Sequence, residues 1–536
     1  MQAFAALLER LTFTPGRDAR LALIGQYFDT APDPDRGFGL AALAGSLRLP
    51  ALGPSLIRSL IAARTDPVLF ALSYDFVGDL AETVALLWPA SPAEPAQAGM
   101  PGLAEVVARL LASPKAALPD LLAGWLDAAG PAERYALLKL VTGGLRAGIS
   151  GRLARRALAA WGKLDPAEVE EVWHGLTPPY LPLFAWAEGR APRPDPAGVP
   201  LFRAPMLAHP ILPAELAALD PPAFRAEWKW DGIRVQLVAT PGGRRVFSRG
   251  ADDVSAAFPE IVAALDFHAV LDGELLALRA APAPGEGLGP VAPFAALQRR
   301  LNRLAPPAAL LRDVPVGVRL YDILFEGTED LRALAFDARR ARLEAWFARV
   351  RPAAMDLSPL LDFADAADLA RLRAAGVAAG SEGLMLKRRD SPYVAGRPRG
   401  AWWKWKHDPH RIDTVLMYAQ AGHGKRGGSY SDYTFGVWDG DVLVPVGKAY
   451  FGFTDAELRW LDRWIREHTI GRFGPVREVE KALVLEVAFD SAQASTRHKS
   501  GVALRFPRIA RLRPDKPAAE ADRLETVRAF VGARSG

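Results

Sequence analysis

Cysteine is absent from the 536 residues, which excludes disulfides, thiolate metal sites and a cysteine nucleophile and makes an intracellular setting the simplest expectation. Histidine is scarce, eight in all, and never falls at metal-ligand spacing. No uncharged apolar run reaches the roughly 18 residues a membrane-spanning helix needs, so no membrane partner is expected. Met1 to Arg20 is broken by Glu9, Arg10 and Arg17 and shows no secretory signal. Also missing is the phosphate-cradling pattern Gly-x-x-x-x-Gly-Lys-Ser/Thr, for which His423-Gly424-Lys425-Arg426 is no substitute. Strong charge of one sign is absent too. With 66 Lys+Arg against 61 Asp+Glu, a polyanionic partner would have to be met by local clusters.

What is present divides along the chain. The length calls for several domains, of which three are expected. Residues 1–195 read as an all-helical domain. Phe4 to Leu11, Leu103 to Leu110 and Ala132 to Leu140 carry apolar residues at three and four spacing between Pro- and Gly-containing turns. Within it, Thr142-Gly143-Gly144-Leu145-Arg146-Ala147-Gly148-Ile149 leads into a basic helix with Arg152, Arg155 and Arg156. Small residues at a helix start let backbone amides approach an anion, and the arginines can neutralise phosphates. The stiff segment Gly189 to Pro196 marks a boundary.

From 203 to 408 the texture becomes strands, Val235 to Ala239, Leu271 to Leu278, Val318 to Leu324 and Gly383 to Lys387, with a charged amphipathic helix at Asp337 to Arg349 and a flexible insertion at Ala281 to Pro290. Residues 409–536 show short strands at Thr414 to Tyr418, Tyr433 to Trp438, Val442 to Val446 and Leu483 to Phe489, a spacing that suits a small β-barrel, followed by a helical tail from Ala518.

The segment Glu227-Trp228-Lys229-Trp230-Asp231-Gly232 holds one lysine between two carboxylates. As a strand it places Glu227, Lys229 and Asp231 on one face and the tryptophans on the other. A lysine facing other cations in a partly desolvated site can serve as a nucleophile. Arg234, Arg249, Glu274, Tyr321, Glu382, Lys404 and Lys406 follow in order on or beside expected strands. Such a set makes a nucleotide pocket. Tyr321 offers a stacking face, Glu274 and Glu382 bind a sugar hydroxyl or a hard metal ion, and the cations neutralise phosphates. A phosphate backbone is the expected macromolecular substrate. Eight Lys/Arg lie between Lys387 and Arg411 with Trp402, Trp403 and Trp405 interleaved. A second cluster spans Arg497, Lys499, Arg505, Arg508, Arg511, Arg513 and Lys516, and a third is Lys425-Arg426.

Taken in order, Lys229-Trp230-Asp231-Gly232, Ser248-Arg249-Gly250, Leu271-Asp272-Gly273-Glu274, Tyr321-Asp322-Ile323, Glu382 to Lys387, Trp403-Lys404-Trp405-Lys406 and Arg505 to Lys516 resemble the motifs of ATP-dependent DNA ligases of the bacterial and archaeal three-domain type, in the covalent nucleotidyltransferase superfamily. The resemblance implies a helical N-terminal DNA-binding domain, an α+β adenylation domain and a C-terminal OB-fold barrel. It further implies that Lys229 forms a lysyl adenylate from ATP, with Glu227 beside the adenine, Arg234 and Glu274 near the ribose, and Tyr321 as the stacking aromatic. Glu274 and Glu382 would serve Mg2+, for which Mn2+ can substitute. Lys404 and Lys406 would contact phosphates, Arg249 the phosphate of the nicked strand, and Arg505, Arg508 and Lys516 would act from the OB domain. Gly143, Gly144, Arg146 and Arg152 resemble a DNA-contact turn, and Lys425 and Arg426 are further DNA contacts. The family's arginine before the Lys404 motif falls here at Pro398, so Arg397 or Arg399 would replace it, and Arg399 joins the expected pocket. The implied partner is nicked duplex DNA, encircled by one copy of the chain at the nucleoid in the cytoplasm. A capping enzyme, an RNA ligase, an NAD-dependent ligase and a nonenzymatic clamp are the rival readings.

Overall fold

The computed structural model describes residues 1–536 other than 15, 50, 51, 90–98, 144, 146–148, 196, 197, 283–286, 302, 422–429, 451, 475, 496, 497 and 532–536, and the side chains of the remainder apart from 76, 421 and 455. It divides into two compact units. One contains Met1–Pro166, Thr177–Pro194 and the chain from Pro409 onward. The other contains Ala167–Leu176 and Asp195–Asp408.

Up to Ala187 the described residues form twelve α-helices. Their apolar stripes are buried at the expected spacing, as in Leu103–Ala112, where Leu103, Val106, Val107 and Leu110 are inaccessible to solvent. Local chemistry sets the ends of Pro131–Val141. Pro131 opens it, Glu133 accepts from the Gly130 amide at 3.3 Å, and Gly143 past its end adopts φ +66°. Helix α1 (Gly151–Trp161) begins where Ser150 Oγ accepts from Leu153 N at 3.2 Å.

On α1 the expectation for the arginines needs correcting. Arg152 is exposed in the first turn, but Arg155 shares the buried face with Ala154, Leu158 and Ala159. Helical periodicity turns Arg155 inward, where no phosphate backbone reaches it. Gly144, Arg146, Lys425 and Arg426 lie outside the described residues.

The Asp195–Asp408 unit is built on two sheets. The first runs His209–Pro210, β7 (Trp402–Lys406), β6 (Ser381–Arg388), β1 (Phe224–Trp230) and Leu360–Leu361. The second runs β3 (Gly243–Ser248), β2 (Ile233–Thr240), β4 (Ala269–Ala277), β5 (Val316–Glu326) and Glu329–Asp330, with Met355–Leu357 parallel to β5. Strand β4 is buried on both faces. Leu271, Leu275 and Ala277 join the main core while Val270 and Leu276 enter separate clusters. Its sequence is therefore apolar almost throughout, and the interruption Asp272-Gly273-Glu274 is where the site lies. Helices α2 (Phe336–Val350) and α3 (Ala366–Ala379) flank the sheets. Ala167–Leu176 belongs with this unit through Arg332 on Glu171 and through the His174 ring, 5.6 Å from Phe202 and 5.4 Å from Phe247.

In the C-terminal sheet of seven strands, β8 (His410–Ala421) pairs with Tyr430–Asp439 along one edge. Along the other it takes Val484–Phe489 and then Val476–Val479. One strand serving two partners in succession curls the sheet. The described ladders do not join Val442–Ala449 to Arg508–Arg513, so what is described is a curled half-barrel, short of the closed barrel expected.

Candidate functional site

The Lys-x-Asp-Gly segment is the crossover between the two sheets of the central unit. Strand β1 ends at Trp230, Asp231-Gly232 makes the turn, and β2 starts the second sheet at Ile233. Gly232 is required by closeness. A Cβ there would lie 2.4 Å from Leu275 O and 2.9 Å from Glu274 Cγ. Gly232→Ala is therefore expected to push β4 and Glu274 away from Lys229, destabilising the unit by about 1–3 kcal/mol as overpacked sites do. Covalent nucleotide labelling should fall further than the unfolded fraction explains, which labelling and denaturation of the same sample would compare.

On one face of β1, Lys229 Nζ donates to Glu382 Oε1, and Lys406 Nζ lies 2.7 Å from Glu382 Oε2. Glu382 thus carries two lysines on one carboxylate. Burial works against its charge, but Lys229 and Lys406 outweigh it and hold the carboxyl below its ordinary range. It reaches this place because Gly383, at φ +139°, sits in a register shift of β6, with no room for a side chain against Trp405 O. The opposite face of β1 is packed as the alternation requires. Trp228 and Trp230 meet edge to face at 5.5 Å, and Arg319, paired with Asp356 at 2.6 Å, covers Trp230 at 4.1 Å.

Lys404 gathers the remaining cations. Burial and then Arg397, Lys229, Lys406 and Arg249 depress its pKa, so four other positive groups lie within electrostatic reach of it. Of the two arginines flanking Pro398, both exposed, Arg397 is among the groups that lower the Lys404 pKa. Arg234 stands across the ladder from Glu274. Its guanidinium donates to Asp272 Oδ2 at 2.7 Å, Met206 O at 2.6 Å and Tyr393 Oη at 3.1 Å, beside the half-buried Tyr321 ring.

Glu274 is the pocket's strained carboxyl. Burial, partly opposed by Lys229 and reinforced by Glu382, pushes its pKa up to about 8. Between the ordinary value of 4.5 and about 8 the folded chain keeps a proton that the unfolded chain releases. Folding is thus opposed increasingly across that window and by a constant amount above it. Glu274→Gln is expected to stabilise the nucleotide-free protein, its advantage growing by at most about 1.4 kcal/mol per pH unit through the window. Denaturant midpoints of both proteins at pH 5, 6.5, 8 and 9 would reveal the slope. A pH-independent difference would contradict the shift.

Several roles escaped the sequence reading. Asp272 and Tyr393 orient Arg234, and Arg340 and Lys387 bracket Glu227. A charge inside an apolar strand could have flagged Asp272, whereas Tyr393 and Arg340 carry no local signal. Lys387 also corrects an expectation. Counted among the phosphate-binding cations, it is 1 % exposed, its Nζ 4.5 Å from the Tyr321 ring centre and 4.9 Å from those of Phe336 and Trp402. Burial lowers its pKa, with Glu227 opposing. In the C-terminal sheet, Arg508 pairs with Asp490 at 3.1 Å and Lys516 with Asp413 at 2.7 Å, while Arg505 lies 5.1 Å from the exposed Phe506 ring.

Among the described residues no cluster of three or more His, Cys, Asp or Glu could hold a metal ion. Two carboxylates still suffice for magnesium, which usually takes one or two together with substrate phosphates and water. A desolvated Glu274 beside Glu382 fits that pattern. No helix among the described residues is long and apolar enough to cross a membrane.

Comparison with known proteins bears on the same residues. The family described as ATP dependent DNA ligase domain matches residues 205–406, and that described as ATP dependent DNA ligase C terminal region matches 426–516. A probable DNA ligase of Koribacter versatilis is 33 % identical, over 98 % of this chain and 95 % of its own length. A probable DNA ligase of an Anaeromyxobacter species is 38 % identical, over 76 % and 78 %. The solved structure of Pmar-Lig_Pre superposes with a TM-score of 0.60 over 95 % of this chain and 99 % of that one, at 16 % identity, which speaks to fold alone.

Proposed function

Because the chain belongs to the ATP-dependent DNA ligase family and seals nicks by adenylation chemistry, we propose that Lys229 is the residue that carries the adenylate. The supporting observation is the amine itself, held on Glu382, which Lys406 shares, and within electrostatic reach of Lys404. Lys229 Nζ attacks the α phosphorus of ATP, an N–P bond forms, and the P–O bond to pyrophosphate breaks. The displaced proton passes to Glu382 Oε1, to which the amine is hydrogen-bonded. An oxygen of the 5′ phosphate at the nick next displaces Lys229 from phosphorus. The 3′ hydroxyl then attacks that 5′ phosphorus and AMP leaves.

Lys404, Lys406, Arg397 and Arg249 neutralise the triphosphate and the charge that grows on the equatorial oxygens. Tyr321 stacks the base, and Arg234, fixed by Asp272 and Tyr393, orients the ribose with Glu274. Glu274 and Glu382 would hold Mg2+, or Mn2+ in its place, and the ion would supply further charge neutralisation at phosphorus.

Residues 1–195 would act as a DNA-binding domain presenting Arg152 beside Gly143, 203–408 as the adenylation domain, and 409–536 as an OB-fold domain acting through Arg505, Arg508 and Lys516. One chain would enclose the duplex, working on the nucleoid. Incubation with α-labelled ATP, GTP or adenylate-labelled NAD in parallel should label the protein from ATP alone. Nicked duplex should then discharge the label as AMP while the strand is sealed. Labelling from NAD, or label that nicked DNA fails to discharge, would overturn the scheme.

A further inference from the structure

The Asp195–Asp408 unit holds a cavity that the adenylation scheme does not use. It encloses about 840 Å3 where the end of α2, the start of β5, the helix Ala308–Asp313 and the strand Met355–Leu357 meet. None of its wall residues is among those assigned to the nucleotide. Its link to β1 is Asp356, which holds Arg319 over Trp230, on the face of that strand opposite Lys229.

Two properties of the wall point to a ligand. The first is that the main core opens into it. Val316 and Met355 belong to that core, and the half-buried Leu311 and Phe347 line the same space. A concave, mostly apolar cavity of this size is the usual form of a small-molecule site, which spans roughly 300–1,000 Å3. The second is its charge. Glu260 is taken by the fully buried Arg300 and Asp356 by Arg319 at 2.6 Å, so both carboxylates of the wall are neutralised within the protein. Arg312 and Arg351 also line the cavity, both are exposed, and among the described residues neither has an ion-pair partner. Either arginine alone would be an ordinary solvated side chain. Together, beside apolar surface and with every carboxylate of the wall occupied, they leave the cavity with unspent positive charge.

We propose that this cavity binds a small amphipathic anion, with a compact apolar body against Val316, Phe347 and Met355 and a single carboxylate towards Arg312 and Arg351. The guanidinium fork matches a carboxylate in shape as well as in charge. Burying the apolar body removes core surface from water, and the carboxylate supplies the selection against neutral and cationic molecules of the same shape. The site stands apart from the adenylation reading and does not depend on it.

The test uses three molecules with one apolar body, 1-naphthaleneacetate, its neutral amide and the cationic 1-naphthylmethylamine, titrated calorimetrically into the full chain. The carboxylate should bind with a Kd of about 1 mM or tighter, the amide about tenfold more weakly, and the amine and plain acetate not detectably. Arg312→Gln combined with Arg351→Gln should bring carboxylate and amide to parity while leaving the amide's affinity unchanged, a selective loss that damage to the fold would not produce. Ala348→Trp, which fills the cavity from an exposed position on α2, should abolish binding of both with the thermal melt preserved. Saturating ATP with magnesium should leave the carboxylate's affinity as it was. No binding by wild type, equal binding of carboxylate and amine, or competition by ATP would each overturn the proposal, and all three are readable without any variant. So would a preference for the carboxylate that survives loss of both arginines, or unchanged binding in Ala348→Trp.

Discussion

Lys229→Ala should take no label from ATP and should not seal a nick when ATP is the only donor, yet should still join a nick whose 5′ end has been adenylated beforehand. The covalent bond depends on this one amine in the proposed scheme, so the first step loses its nucleophile. The last step uses the DNA 3′ hydroxyl and needs only the pocket. Loss of the ATP-driven reaction should reach the detection limit, on the order of 10⁴-fold or more. The fold should survive, because Lys229 is half-exposed and its removal leaves Glu382 paired with Lys406 at 2.7 Å. Labelling, sealing of adenylated substrate and a thermal melt on one preparation decide the matter. A variant that still takes label would remove Lys229 from the reaction.

Arg339→Met carries the largest expected cost in stability. Arg339 and Asp322 form a two-pronged pair at 2.9 and 3.1 Å with both side chains fully buried, and Arg339 also donates to Leu334 O and to Ser391 O, the latter at 3.1 Å. Removing the cation strands a buried carboxylate, which typically costs about 3–5 kcal/mol. Replacing both members with apolar residues removes the stranded charge, so Arg339→Met with Asp322→Leu should be markedly more stable than Arg339→Met alone. Urea midpoints should shift with the slope unchanged. A single variant within about 1 kcal/mol of wild type would show that water or a rearranged partner rescues Asp322.

The strand carrying Lys229 was readable from two-residue alternation, which sets carboxylate, lysine and carboxylate on one face and two tryptophans on the other. The trough of cations was readable from Lys404 and Lys406 on the same strand face. Helices such as Leu103–Ala112 announced themselves by spacing. What did not show was anything that depends on residues brought together from afar. Glu227 is gripped by Lys387 and Arg340, more than 100 residues away, and Tyr393 is 121 positions from Asp272. Burial hid the rest. Lys387 and Arg155 are ordinary basic residues in one dimension and interior groups in three. Closure of the C-terminal sheet depends on ladder partners, which strand spacing does not specify.

Glu382 is shared by two lysines while Arg249 and Arg397 also act on Lys404, and burial raises the Glu274 pKa to about 8, so positive charge gathers here. The cleft is thus a spring of like charges that any polyphosphate unloads. Pyrophosphate is itself such a polyphosphate, so the leaving group of the first displacement is also a reversing agent for it. Which way that displacement runs is then governed outside this protein, by whatever cleaves pyrophosphate in its surroundings.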